Sequence, residues 1–168
     1  MKIDCSRFSF GVLTMSDKGS RGEREDTSGP YLKKLLTVEG YRQKEYAVIP
    51  DQVEGIRDTL INWVDKEKID LIITTGGTGV APTDVTPEAM AMVVEKEIPG
   101  MAEAMRAESL KKTPNAVLSR GKAGIRDRSL IINLPGSEKA ARENIAVLLP
   151  SLAHALDKIQ GGTSDCGG

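Results

Sequence analysis

The run from Leu71 to Ala89, LIITTGGTGVAPTDVTPEA, places a glycine-rich turn, a carboxylate and a helix start directly after an apolar segment. Gly76, Gly77 and Gly79 let backbone N–H groups approach a phosphate closely and tolerate positive φ. Thr74, Thr75 and Thr78 add hydroxyl donors. Asp84 follows the turn, where a loop carboxylate suits Mg²⁺, a cation that prefers one or two carboxylates plus substrate phosphates. The bland alternative is a plain strand-to-helix turn with a loop acid favoured by the helix dipole. No Gly-Lys-Ser/Thr follows, so this is not a P-loop, and the glycine spacing is not that of a dinucleotide fingerprint.

Asp51 is a second candidate acid. With Glu54 it also reads as a capping box, D-x-x-E, and capping is its competing role. Asp17 and Asp26 are further acids in turn-rich sequence. The stretch from Arg120 to Arg128, with Lys122 and Arg126, suits an anionic substrate or an exposed hairpin. His154, the sole histidine, lies far along the chain from these loops and reads as structural. No Ser/His or Cys/His arrangement supports nucleophilic hydrolysis. Backbone amides, carboxylates and Mg²⁺ together suit phosphoryl or nucleotidyl transfer, which needs positioning and charge neutralisation more than a covalent nucleophile.

The elements that must position these residues alternate. Phe8–Met15 reads as a first strand, and residues 17–29 as an exposed polar loop. A helix runs from Pro30, at its first turn, to Gly40. Tyr41–Ile49 is a second strand, and Val53, Ile56, Leu60, Trp63 and Val64 form the stripe of the next helix. Leu71–Thr75 and Leu130–Leu134 are buried-type strands, with a partner strand around Ile125. Residues 86–97 and 100–112 read as two helices, the first capped by Thr86 with Pro87 at its first position. The last helix runs from Ser137 to about Ile159, and Pro150 is expected to kink it. This order predicts an α/β three-layer sandwich with a mostly parallel central sheet. Ser16-Asp17, Pro50-Asp51, Thr75-Gly76 and Pro135-Gly136 then lie at strand carboxyl ends, on one ligand-binding rim.

The 168 residues fit a single domain, 1–160, followed by a glycine-rich tail, 161–168, expected to be flexible. A net charge of −1 gives no global field for nucleic acid or an anionic membrane. No window is long and apolar enough to span a membrane, and the N-terminus lacks a signal-peptide pattern, so a cytoplasmic location is expected. Cys5 and Cys166 show no metal or redox spacing and read as free thiols.

Taken together, TTGGTG followed by Asp84-Val85-Thr86-Pro87-Glu88-Ala89 resembles the signature of the molybdopterin adenylyltransferases, the Mog/MoaB-like family of molybdenum cofactor biosynthesis. Ser16-Asp17, Ile49-Pro50-Asp51, Pro99-Gly100, Leu118-Ser119-Arg120 and Ile132-Asn133-Leu134-Pro135-Gly136 match further segments in order. The resemblance implies a molybdopterin-binding fold, a homotrimer, and Mg²⁺-dependent transfer of AMP from ATP to molybdopterin with release of pyrophosphate. It also implies hand-over to a molybdate-inserting enzyme. Carried over by position, Asp51 and Asp84 match essential acids acting through Mg²⁺. Thr75, Gly76, Gly77, Thr78, Gly79, Pro135, Gly136 and Ser137 match nucleotide-side loops. Ser16, Asp17, Ser119 and Arg120 match substrate-side positions.

Two positions depart from the pattern. Thr83 stands where many members have a basic residue, and Glu138 sits in the turn after Pro135-Gly136, where a carboxylate repels phosphate. A molybdopterin-binding protein of the same family without transferase activity is the alternative. A nucleotide pyrophosphatase sharing the fold is a third class.

Overall fold

The computed structural model describes residues 3–163. A 3₁₀ turn at Cys5–Arg7 leads into β1, Ser9–Met15, in which every residue is buried. A one-turn helix α1, Asp17–Ser20, follows, then α2, Ser28–Val38, and β2, Arg42–Ile49. Helix α3, Val53–Asp65, β3, Leu71–Thr75, and α4, Thr86–Val93, come next. The two-residue β4, Lys96–Glu97, precedes α5, Pro99–Leu110, and a second 3₁₀ turn at Pro114–Leu118. The hairpin of β5, Ala123–Arg126, and β6, Ser129–Leu134, leads into α6, Glu138–Ile159.

The six strands form one sheet in the order β2-β1-β3-β6-β5-β4. β1 is parallel to β2 and β3, and β3 is parallel to β6, whereas β5 and β4 add an antiparallel edge. Adjacent residues of the central strands serve opposite faces, as the period of two demands. Val12, Ile73 and Ile132 pack with α2, α5 and α6 in one core. Leu13, Ile72 and Ile131 pack with α3 and α4 in the other. The expected α/β three-layer sandwich with a mostly parallel sheet is what forms. Among the described residues, no helix is long and apolar enough to cross a membrane.

Several local expectations are corrected. The loop at 17–29 contains α1, because the Ser16 hydroxyl accepts from Gly19 N–H and caps a turn. Helix α2 starts at Ser28, two residues before Pro30. The helix expected over 86–97 stops at Val93, because Glu95 N–H pairs with Ile125 O and draws the chain onto the sheet edge. Apart from these corrections, α6 is one continuous helix with the exposed Pro150 inside it. In the expected tail, the N–H groups of Gly161 and Gly162 donate to Lys158 O and Asp157 O and close α6. Residues 164–168, with Cys166, lie outside the described residues.

Ile72→Ala and Ile73→Ala remove fully buried side chains on opposite faces. Each is expected to cost about 2–5 kcal/mol in urea unfolding. Val38→Ala, at a side chain 75% exposed, should change stability by less than about 0.5 kcal/mol.

Candidate active site

Strand order reverses direction between β1 and β3, which makes the crevice at their carboxyl ends the ligand-binding switch point. All four expected strand ends converge there. Gly76, at φ +105°, leaves β3 so tightly that a Cβ would run into the Met15 carbonyl oxygen. A Cβ on Gly136 would stand 3.3 Å from the Gly76 Cα, so the loops after β3 and β6 pack backbone to backbone. Thr75 Oγ1 donates to Pro135 O at 2.7 Å, and Ser28 Oγ donates to Gly136 O at 2.7 Å.

The two packed loops divide the rim into two chambers. A cleft of about 390 Å³ is walled by Ser16, Asp26, Asp51, Gly76, Gly77, Asp84, Gly136 and Ser137. A less polar cavity of about 260 Å³ is walled by Thr78, Gly79, Arg106, Ser119, Pro135 and Asn144. The expected site residues therefore split. Gly76, Gly77, Gly136 and Ser137 face the first chamber, while Thr78, Gly79 and Pro135 face the second with Ser119.

Beyond Gly76 N–H, which donates to Leu134 O at 3.1 Å, the glycine loop is held by its carbonyls. Gly76 O accepts from Thr86 Oγ1 at 2.9 Å and Gly77 O from Thr86 N–H at 3.1 Å. Thr78 O accepts from Arg120 N–H at 2.7 Å and Gly79 O from Arg120 Nε at 2.8 Å. A planar trans peptide points each following N–H the opposite way. The N–H groups of Gly77, Thr78, Gly79 and Val80 accordingly meet no protein acceptor among the described residues. Such a row of free amides is an anion site.

The acids sit opposite. Asp51 does not cap α3; Gln52 holds the N-cap position. Asp51 and Asp17 instead exchange hydrogen bonds, Asp17 N–H to Asp51 Oδ2 at 3.1 Å and Asp51 N–H to Asp17 Oδ1 at 2.9 Å. This pair ties the end of β1 to the end of β2. Asp51 Oδ1 is left facing the loop, 3.1 Å from where a Cβ on Gly77 would stand. Asp84 Oδ2 accepts from Ala81 N–H at 3.0 Å and lies 2.7 Å from the same point on Gly79. Burial first, then repulsion from Asp17 and Asp84, push the Asp51 carboxyl above its ordinary range, although the Asp17 N–H pulls it down. Crowded hard oxygens of this kind fit a Mg²⁺ ion that completes its shell with phosphate and water. Among the described residues no group of three or more His, Cys, Asp or Glu forms a cage, so a metal here would share its ligands with a substrate.

Other expectations are revised. Thr86 is the first helical residue and Val85 the N-cap, and the Thr86 hydroxyl holds the loop. Neither Thr74 nor Thr75 serves a phosphate as expected: Thr74 is fully buried, its Oγ1 accepting from Asn133 Nδ2, and the Thr75 hydroxyl donates to Pro135 O. Ser137 caps α6 by accepting from Ala140 N–H. Glu138 pairs with Arg142 at 2.8 Å, which offsets its charge at the turn. Glu88, on the first turn of α4, forms an ion pair with Arg120.

Two further residues support the site. Asp26 Oδ2 accepts from Thr14 Oγ1 at 2.7 Å and from Tyr46 OH at 2.6 Å, and so anchors the loop before α2 at the cleft. Arg106 Nη1 reaches Ser119 O and Gly121 O at 3.3 and 3.1 Å and supports the second cavity. Asp26 was visible as an acid in a turn. Arg106 carried no signal, being an ordinary cation on a helix.

Comparison with known proteins agrees with this architecture. Residues 11–154 match the family described as a probable molybdopterin binding domain. The chain belongs to that family. The molybdopterin adenylyltransferase of Helicobacter pylori strain J99 is 44% identical over 154 residues, covering 90% of this chain and 88% of its own length. The Escherichia coli K12 molybdopterin adenylyltransferase is 41% identical over 138 residues, covering 81% and 71%. The crystal structure of the molybdopterin biosynthesis enzyme MoaB from Thermus thermophilus superposes with a TM-score of 0.87 at 49% identity, covering 92% of this chain and 97% of that one. Family membership places the chain in molybdenum cofactor biosynthesis, among nucleotidyltransferases.

Asp51→Asn keeps an oxygen for the Asp17 N–H and removes one charge. An acid whose pKa is raised by folding costs stability above that pKa and regains it as pH falls. Asp51→Asn is therefore expected to melt at or above the wild-type temperature at pH 7.5. That advantage should vanish once the pH falls below both the folded and unfolded Asp51 values. Thermal melts from pH 7.5 to 3.5 check the sign.

Proposed function

We propose that this protein transfers AMP from ATP to the terminal phosphate of molybdopterin, with Mg²⁺, releasing pyrophosphate. The observation that carries this reading is the shared wall. One loop with a row of free amides separates a polar cleft bearing Asp51 and Asp84 from a less polar cavity bearing Ser119. A reaction that joins phosphates from two substrates needs such a meeting point.

In this proposal the nucleotide phosphates lie in the first chamber, between Gly76-Gly77, Gly136-Ser137 and the acids. The pterin lies in the second chamber, against Ser119 and Pro135. Its phosphate is its own nucleophile, so no protein base is required; the bond formed is phosphate oxygen to α-phosphorus, and pyrophosphate leaves. Asp51 and Asp84 would hold Mg²⁺, which supplies charge neutralisation to the phosphates. The loop amides take up negative charge without reorganising, because their peptide planes are already fixed. Ser16 and Asp17 shape the wall beside Asp51 rather than meeting the pterin side. The proposal extends to a cytoplasmic site of action, a homotrimer, and hand-over of the adenylylated pterin to a molybdate-inserting enzyme. The last two rest on the family resemblance, the first on the sequence pattern alone.

Incubation of the purified protein with ATP, Mg²⁺ and molybdopterin should yield AMP-linked pterin and pyrophosphate. Tight pterin binding without product would assign the binding-protein alternative instead. Asp84→Asn is expected to fold normally and to lower turnover by about two orders of magnitude or more. Undiminished turnover in that variant would remove Asp84 from the metal role.

A further inference from the structure

The glycine loop has no side chain with which to fix its own peptide planes at Gly76, Gly77 and Gly79, yet its function depends on where four N–H groups point. Thr86 holds the carbonyls of Gly76 and Gly77, which sets the N–H groups of Gly77 and Thr78. The other half of the loop depends on one residue. Arg120 N–H donates to Thr78 O at 2.7 Å and Arg120 Nε to Gly79 O at 2.8 Å. Its Nη2 donates to Asp84 O at 2.8 Å, and Nη1 forms an ion pair with Glu88 on the first turn of α4.

We infer that Arg120 is a positioning residue whose side chain orients the Val80 amide and the Asp84 turn from behind, while its backbone N–H sets the Gly79 amide, a role that rests on the adenylyl-transfer reading for its kinetic consequences. It is not a grip on the anionic substrate. The fork is filled by two carbonyls and a carboxylate, and Glu88 balances its charge. The Arg120 guanidinium in turn holds the Glu88 carboxyl below the usual range. Serving acceptors in different directions at once requires the planar fork of Arg; an ammonium cannot reproduce it. Arg120 also directly follows Ser119, so the segment that walls the second cavity is the one that sets the loop of the first.

Amide NMR chemical shifts and kinetics separate the two roles. In R120A, the Val80 amide resonance should move strongly, while those of Gly77, Thr78 and Gly79, whose planes Thr86 and the backbone N–H of residue 120 still hold, change less. Turnover should fall on the order of 100-fold, as for a displaced catalytic constellation, and half-saturating Mg²⁺ should rise with it. Melting should shift little, since the ion pair is exposed. R120K should behave like R120A within a few-fold. E88Q should lower turnover modestly, because the fork loses its anchor.

A substrate grip predicts the opposite pattern. R120K would retain most activity, and E88Q would tighten Mg·ATP binding by freeing a cation. Either of those results, or an unmoved Val80 amide resonance in both R120A and R120K, overturns the positioning role. Should R120A fail to fold, R120K and E88Q carry the same comparison. Absence of AMP-linked pterin from the wild-type protein would overturn the reaction alone; the Val80 amide shift decides the role of Arg120 whichever way that falls.

Discussion

The site rests on one close approach. Gly76 leaves β3 with its bare Cα against the Met15 carbonyl and the Gly136 backbone, where any side chain would collide. This contact brings the ends of β1, β3 and β6 together at the point where strand order reverses. Because Gly76 turns there, Thr86 can reach back to its carbonyl, and Thr75 can reach across to Pro135 O. The wall between the two chambers is the result. The two cores on either side of the sheet supply the rigidity that keeps three strand ends in register.

The wall has two chemically distinct sides. Behind it, every carbonyl from Gly76 to Gly79 is engaged. On the other side the amides from Gly77 to Val80 meet no protein acceptor among the described residues. Gly77 lines the cleft of Asp51 and Asp84, with Asp17 bonded to Asp51, while Thr78 and Gly79 line the second cavity. Burial, with Asp17 and Asp84 nearby, raises the Asp51 carboxyl.

Much of this was legible in the chain. Ile72, Ile73, Ile131 and Ile132 read as buried strands because continuous apolar runs leave no polar face to expose. The convergence of Asp51, Asp84 and the glycine loop followed from strand ends sharing one rim. Less legible were the jobs of polar side chains with two competing partners. Asp51 offered a local cap with Glu54, but Asp17, 34 residues distant, took it instead. Thr86 looked like a cap and became a loop anchor. Glu88 carried no local pairing signal, yet it meets Arg120, 32 residues away. The edge strand Lys96–Glu97 formed because β5 offered its unpaired backbone, a partner that no local pattern announces.

The sequence alone determined the layer order, the glycine turn, the carboxylates that face it and the family to which they belong. Those follow from hydrophobic period, backbone freedom and residue type, all local properties. Only the tertiary structure decided that the loop is a partition, that its carbonyls are held and its amides free, and that Arg120 faces backwards. Each of these is a choice among hydrogen-bond partners distant in the chain. Such choices are settled by which strand ends the packed sheet brings within about 3 Å of each other.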